Sequence, residues 1–199
     1  MIPNGVDPDR FATAAPFPHP RRYLLTVARL SHEKGIDVLL DAFARLGVPE
    51  LDLVVVGDGP ERAALIAQRD RLGITERVHF VGTLEAAALP ARYRGATLVV
   101  CPSRWEGLPL VALEAMASGR AVVGTAVDGM PDAVADGETG ILVPPEDPGA
   151  LAGAIAALLQ DPARAATLGR RGATVVRERF TWNDVCARYL AVLREAIAG

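Results

Sequence analysis

Six short apolar runs, separated by segments of helical character, constrain this chain more than any other feature. "YLLTVA" (23–28), "LDLVVVG" (51–57), "VHFVG" (78–82), "TLVVCP" (97–102), "AVVGT" (121–125) and "GILVPP" (140–145) read as strands. Most are continuous rather than alternating, the pattern of strands buried on both faces of a parallel sheet. Between them, "GIDVLLDAFARLG" (35–47), "PERAALIAQRDRLG" (60–73), "LEAAALPARYRGA" (84–96, interrupted by Pro90) and "PLVALEAMASG" (109–119) carry helical patterning. Gly47, Gly73 and Gly119 stand where helix-ending glycines are expected. Parallel strands joined through helices need right-handed crossovers. The predicted fold is therefore α/β, a doubly wound, mostly parallel, six-stranded Rossmann-like sheet. After Pro145 the pattern is wholly helical, which adds extra C-terminal helices. Asp147-Pro148 and Asp161-Pro162 each offer a cap followed by a first-turn proline, and Thr181 caps a last helix. No repeat or linker divides the chain, so 1–199 reads as one domain.

Bulk properties exclude several function classes. A net charge of −3, with no basic run, argues against nucleic-acid binding. Two cysteines, Cys101 and Cys186, 85 positions apart, give no paired spacing for zinc, and His19, His32 and His79 are scattered along the sequence. Two reduced thiols fit a cytoplasmic protein. The N-terminal "MIPNGVDPDRF" is not a signal peptide, and no apolar run approaches the ~20 residues of a transmembrane segment.

Ligands of open parallel sheets bind beyond the carboxyl ends of the strands, where the chemically informative residues cluster. Arg29 follows the first strand and Lys34 comes five residues later. A guanidinium and an ammonium so placed suit a diphosphate, though the pair alone could equally be two solvated cations. "GDGPE" (57–61) supplies Gly57 and Gly59, but Arg62 stands where a dinucleotide-binding turn has its third glycine, which disfavours a nicotinamide enzyme. The strongest segment is "CPSRWEGLPLVALEAMASG" (101–119). Gly107 can bring backbone close to a ligand, and Pro109 suits the first turn of a helix. The free N–H groups of Leu110 and Val111 then form a ready anion site. Glu114 lies in the apolar stretch "LVALEAMA" and needs a specific partner, either vicinal ribose hydroxyls or an internal ion pair. Glu106, in the preceding loop, can reach a sugar hydroxyl. A glycosidase pair of Glu106 and Glu114 would leave the cations and the helix N-terminus without a use.

Together these residues resemble the donor-binding domain of glycosyltransferase family 4, a GT-B-fold group of mostly retaining enzymes. The resembling segments are "IPNGVD" (2–7), "ARLSHEKGIDVLLDAF" (28–43), "LVVVGDGPE" (53–61), "VHFVGTL" (78–84), "PSRWEGLPLVALEAMASGRAVVGT" (102–125) and "DGETGILVPPED" (136–147), in family order. The carboxylate pair Glu106 and Glu114, with seven residues between them, is the family's hallmark.

The resemblance implies a role for each residue. Arg29 and Lys34 would stabilise the departing diphosphate, Glu106 would bind the transferred sugar and Glu114 the ribose. Leu110 and Val111 would offer backbone contacts to sugar and diphosphate, Val81, Gly82 and Thr83 would flank the nucleobase, and Gly57 and Gly107 would join them in the donor-binding set. The implied substrate is a UDP-, GDP- or ADP-sugar, transferred as a hexose-type unit to an acceptor hydroxyl, with no cofactor and no metal. Asp7-x-Asp9 resembles a metal motif of other glycosyltransferases but lies in an entry loop.

Two departures bear on the sugar. Leu108-Pro109 stands where the family often has aromatic-Gly, and "DGMPD" (128–132) stands where it has Gly-Gly and then Glu. GT-B enzymes pair two such domains. Residues 1–20 would be the segment entering from a missing N-terminal acceptor domain, and the helix over about 180–199 would pack back onto it through Trp182 and Tyr189. The other readings are a stand-alone nucleotide(-sugar)-binding module without catalysis and a GT-B-fold nucleotide-sugar epimerase.

Overall fold

The computed structural model describes residues 5–107 and 109–198. Its six strands, β1 (Arg22–Val27), β2 (Leu51–Val56), β3 (Val78–Gly82), β4 (Leu98–Cys101), β5 (Val122–Thr125) and β6 (Gly140–Val143), form one all-parallel sheet in the order β3-β2-β1-β4-β5-β6. All strands run the same way, but the order in which they are added reverses between β1 and β4, which opens a crevice at their carboxyl ends.

Nine helices accompany the strands among the described residues: α1 (Pro8–Ala12), α2 (Ile36–Leu46), α3 (Arg62–Arg71), α4 (Leu89–Gly95), α5 (Leu110–Ala117), α6 (Met130–Ala133), α7 (Pro148–Gln160), α8 (Pro162–Arg179) and α9 (Trp182–Ala198). Strand residues alternate between two cores, as the two-residue pleat requires. Leu24, Leu53, Val55, Leu98 and Val100 pack with α2 and α7 on one face. Tyr23, Leu25, Val54, Val99 and Val122 pack with Tyr93 of α4 and Met116 of α5 on the other.

The expected glycine stops hold: Gly47, Gly73 and Gly119 have φ of 60°, 67° and 70°. The Asp147 and Asp161 carboxylates cap α7 and α8, and Thr181 exchanges hydrogen bonds with Asp184 at the start of α9.

Three expectations need correction. The helix expected over 84–96 is confined to Leu89–Gly95, and Pro90 sits in its first turn rather than interrupting it, because a proline there gives up no helical hydrogen bond. The helix expected over 60–73 starts two residues late, at Arg62, because Gly59 packs on the backbone of Leu30 and the Glu61 amide donates to the Leu30 carbonyl. Pro109 lies one residue outside α5, at ψ 68°, so Leu110 is the first helical residue. The short α1 and α6 have too few turns to show a period in sequence.

Asp7 and Asp9 have structural partners. Asp7 caps α1 through the amides of Asp9 and Arg10, and Asp9 pairs with Arg177 at 3.0 Å. Residues 1–4 of the entry segment lie outside the described residues; from Gly5 on, it joins the C-terminal helices through a Val6–Thr181 bridge and the packing of Gly5 on Trp182. Along α9, Val185 is buried, whereas Tyr189, Leu190, Leu193 and Ile197 are exposed. No described helix is long and apolar enough to cross a membrane.

Candidate donor site

A cavity of about 210 Å³ opens at the carboxyl ends of β1 and β4. Its floor is the last turn of both strands, from Thr26 to Ala28 and from Val100 to Pro102. Arg29 and Lys34 line one wall, Glu106 another, and Leu110 and Val111 of α5 a third.

Glycines bring these walls together. Gly35, at φ 61°, packs so closely on Pro102 that a Cβ would lie 2.0 Å from that carbonyl oxygen. This contact joins the loop carrying Lys34 to the loop carrying Glu106, and Lys34 Nζ donates to Glu106 Oε2 at 2.7 Å. Gly57, at φ 130°, lies equally close to Ala28, and Gly59 to Leu30. Both glycines of "GDGPE" therefore serve the crossing of two loops, the tight-turn reading rather than a dinucleotide turn.

Further residues hold Glu106. Ser103 Oγ donates to the same carboxylate oxygen at 3.1 Å, and the Glu106 amide donates to Asp128 Oδ2 at 3.0 Å. Asp128 takes the left-handed region at φ 40°, and the Gly129 amide donates to the Glu106 carbonyl. The "DGMPD" departure thus buttresses the Glu106 loop. Sequence reasoning also missed Arg104. Its guanidinium holds Asp37 through two bonds of 2.9 and 2.7 Å and Glu146 through another of 2.9 Å. Burial pushes Asp37 upward, but these bonds outweigh it and hold its carboxyl below the usual range. An Arg with acidic residues at suitable spacing carries no sequence signal until α2 and the β4 loop are adjacent.

Arg29 is exposed and takes part in no ion pair among the described residues, in contrast to Lys34 and Arg104. Glu114 lies one turn into α5, outside the cavity lining, half-buried. Its expected partner exists but is not an ion pair: fully buried Tyr93 donates its phenol to Oε2 at 2.8 Å. Burial raises the Glu114 carboxyl above its usual range, opposed by the Tyr93 hydrogen bond and by Arg10. Below it, burial pushes the Cys101 thiol up to about 12, which makes this floor residue inert rather than nucleophilic.

Gly57, Val81, Gly82 and Thr83 lie further along the carboxyl edge, at the ends of β2 and β3, where the Gly57 amide donates to the Gly82 carbonyl at 2.8 Å. Val81 and Thr83 are exposed there. Gly107 is exposed beside the cavity, and a Cβ on it would meet nothing within 4 Å, so packing does not require glycine at this position. Leu108 lies outside the described residues.

The pattern described as "Glycosyl transferases group 1" matches residues 9–175. The chain belongs to this family. It is 40% identical over 204 residues to a D-inositol 3-phosphate glycosyltransferase of Catenulispora acidiphila, a match covering 97% of this chain and 49% of the relative. Its fold superposes on a sucrose-phosphate synthase of Thermosynechococcus elongatus with a TM-score of 0.89 and 35% identity, covering 99% of this chain and 52% of the other. An Anabaena protein, HepE, solved in complex with UDP and glucose, gives a TM-score of 0.88 at 26% identity, covering 96% of this chain and 56% of that one. The chain thus spans about half the length of the curated relatives it matches. Its sheet and helices are those of one half of a GT-B fold.

Proposed function

We propose that this chain is the donor-binding half of a retaining, family 4 glycosyltransferase, which transfers a hexose-type sugar from a nucleoside diphosphate sugar to an acceptor hydroxyl. The observation that carries this reading is the convergence on one cavity of Arg29, the Lys34–Glu106 pair and the uncapped start of α5.

Each element matches a part of the donor. The Leu110 and Val111 amides have no helical acceptor, and the positive end of α5 favours a diphosphate. Arg29 can grip that diphosphate through paired hydrogen bonds. Lys34, already beside Glu106, can follow the charge as the diphosphate leaves. Such charge develops mainly in the transition state, so each cation contributes about 2–4 kcal/mol to lowering the barrier. Glu106, oriented by Ser103 and Asp128, is placed for hydroxyls of the transferred sugar. Glu114 keeps one carboxylate oxygen without a donor among the described residues, which suits a ribose hydroxyl. Val81, Gly82 and Thr83 would flank the base. No metal is needed where two cations and a helix end already face the diphosphate.

The length of the relatives supports an acceptor domain N-terminal to this chain, and the exposed apolar residues of α9 give that domain a surface to cover. Two free cysteines support a reducing, cytoplasmic setting. The test is product analysis after incubating the 199-residue chain with UDP-, GDP- and ADP-sugars and candidate acceptors. The proposal expects binding of a nucleotide sugar but little transfer. Robust transfer by these residues alone would contradict the division of labour, and an epimerised sugar would replace transferase with isomerase.

A further inference from the structure

We propose that His19, Asp52 and His79 form a binding site for a divalent metal ion of the zinc class at the amino edge of the sheet. The two histidines are 60 positions apart in sequence, and their scattered placement there hides what the fold does with them. Asp52 is the second residue of β2, and the parallel register sets His79 of β3 opposite Val54, so Asp52 and His79 share one face. His19 arrives from the segment that precedes β1.

The two oxygens of the buried Asp52 carboxylate have different neighbours. Oδ1 accepts from Arg21 Nη1 at 3.3 Å. Oδ2 faces both histidines, with Nε2 of His79 at 3.2 Å and Nε2 of His19 at 3.8 Å. The three ligand atoms all lie within 4.8 Å of one another. Ligand atoms about 2.0–2.1 Å from a tetrahedral ion are roughly 3.4 Å apart, so small side-chain adjustments complete the site.

The orientation of His19 distinguishes this site from an ordinary hydrogen-bonded carboxylate. At 3.8 Å its Nε2 points at Asp52 without bonding to it. Its Nδ1 lies 3.1 Å from the Arg21 carbonyl and 3.4 Å from the Arg21 amide, and the ring packs on Tyr23 with centroids 4.9 Å apart. In one tautomer Nδ1 accepts from the Arg21 amide; in the other Nδ1–H donates to the nearer carbonyl, which would leave the Nε2 lone pair free for an ion beside Asp52. A backbone carbonyl in that position is the usual partner that fixes a metal-bound imidazole.

Two imidazoles and one carboxylate suit zinc, cobalt or nickel better than magnesium or calcium. His79 is 40% exposed in its side chain, which gives the ion a route in and leaves room for a water ligand. Because the site lies at the opposite end of the strands from the donor cavity, its effect would be structural: it ties the segment before β1 to β2 and β3.

Zinc chloride titrated calorimetrically into the tag-free 199-residue chain tests this, with cobalt substitution read by visible absorption. One equivalent should bind, and the cobalt form should show tetrahedral bands. His19→Ala and His79→Ala should each weaken zinc at least tenfold. Arg21→Gln, which removes a cation beside the ion, should tighten it. Cys186→Ser removes an exposed thiol and should change nothing. No zinc uptake by the wild-type chain would overturn the site, as would uptake that survives both histidine substitutions or is lost with Cys186.

Discussion

The helices that follow β1 to β5 start differently from α7 and α8, the first two of the three that follow β6. None of α2 to α6 begins with a side-chain cap, whereas Asp147 and Asp161 accept amide hydrogens of Ala150 and Arg164 at 2.8 and 2.9 Å to cap α7 and α8. A missing cap costs about 1 kcal/mol. Of the uncapped starts, those of α5 and the single-turn α6 reach the cavity, and at the longer α5 an anionic ligand would supply the absent acceptor. The difference separates helix ends closed by their own side chains from one that the proposed donor would close.

The largest expected effect comes from separating the two loops that frame the cavity. Gly35→Ala places a Cβ against the Pro102 carbonyl in a left-handed conformation. It should cost about 2–4 kcal/mol of stability in urea denaturation, and a near-neutral result would mean the loops are not held by this contact. Next, Pro109→Asp would install at α5 the kind of cap that α7 has. The protein's own carboxylate then competes for the amides and repels the diphosphate. Nucleotide-sugar affinity should fall at least tenfold by calorimetry while thermal stability rises or holds. Unaltered affinity would remove the α5 terminus from the site.

The converse change, Asp147→Ala, should cost about 1 kcal/mol of stability and leave affinity untouched, because that helix end faces no ligand. A drop in affinity would blur the distinction between the two kinds of helix start.

The smallest effect concerns Glu114. Burial raises its carboxyl above the usual range. A raised acid stabilises the fold below its ordinary pKa of about 4.3 and loses that contribution as pH climbs through the raised value. Glu114→Gln keeps an acceptor for Tyr93 without the charge. It should melt higher than wild type near neutral pH, with the gap closing in acid. A constant gap across pH would contradict a raised Glu114.

Most of the sheet was legible because its strands are buried on both faces and therefore read as unbroken apolar runs. The capped helix starts at Asp147, Asp161 and Thr181 were legible because their chemistry is local. Arg29, Lys34 and Glu106 could be placed at one edge from strand–loop order alone, and the fold adds that Lys34 and Glu106 touch. What sequence did not show depends on contacts between distant segments. Arg104 holds Asp37 only once the β4 loop meets α2, Asp128 supports Glu106 from across the crevice, and Tyr93 reaches Glu114 from another helix. His19 and His79 meet only once the segment before β1 lies beside β3.

The open carboxyl edge is the proposed seat of a nucleoside diphosphate sugar. Calorimetric titration of the chain with UDP-, GDP- and ADP-sugars, repeated on Arg29→Ala and Glu114→Ala, tests it most directly. One equivalent of a preferred donor should bind. Each substitution should weaken it about tenfold or more, the loss of one hydrogen bond to a charged group. Unchanged affinity in both variants, or no binding of any donor by a folded chain, would contradict it.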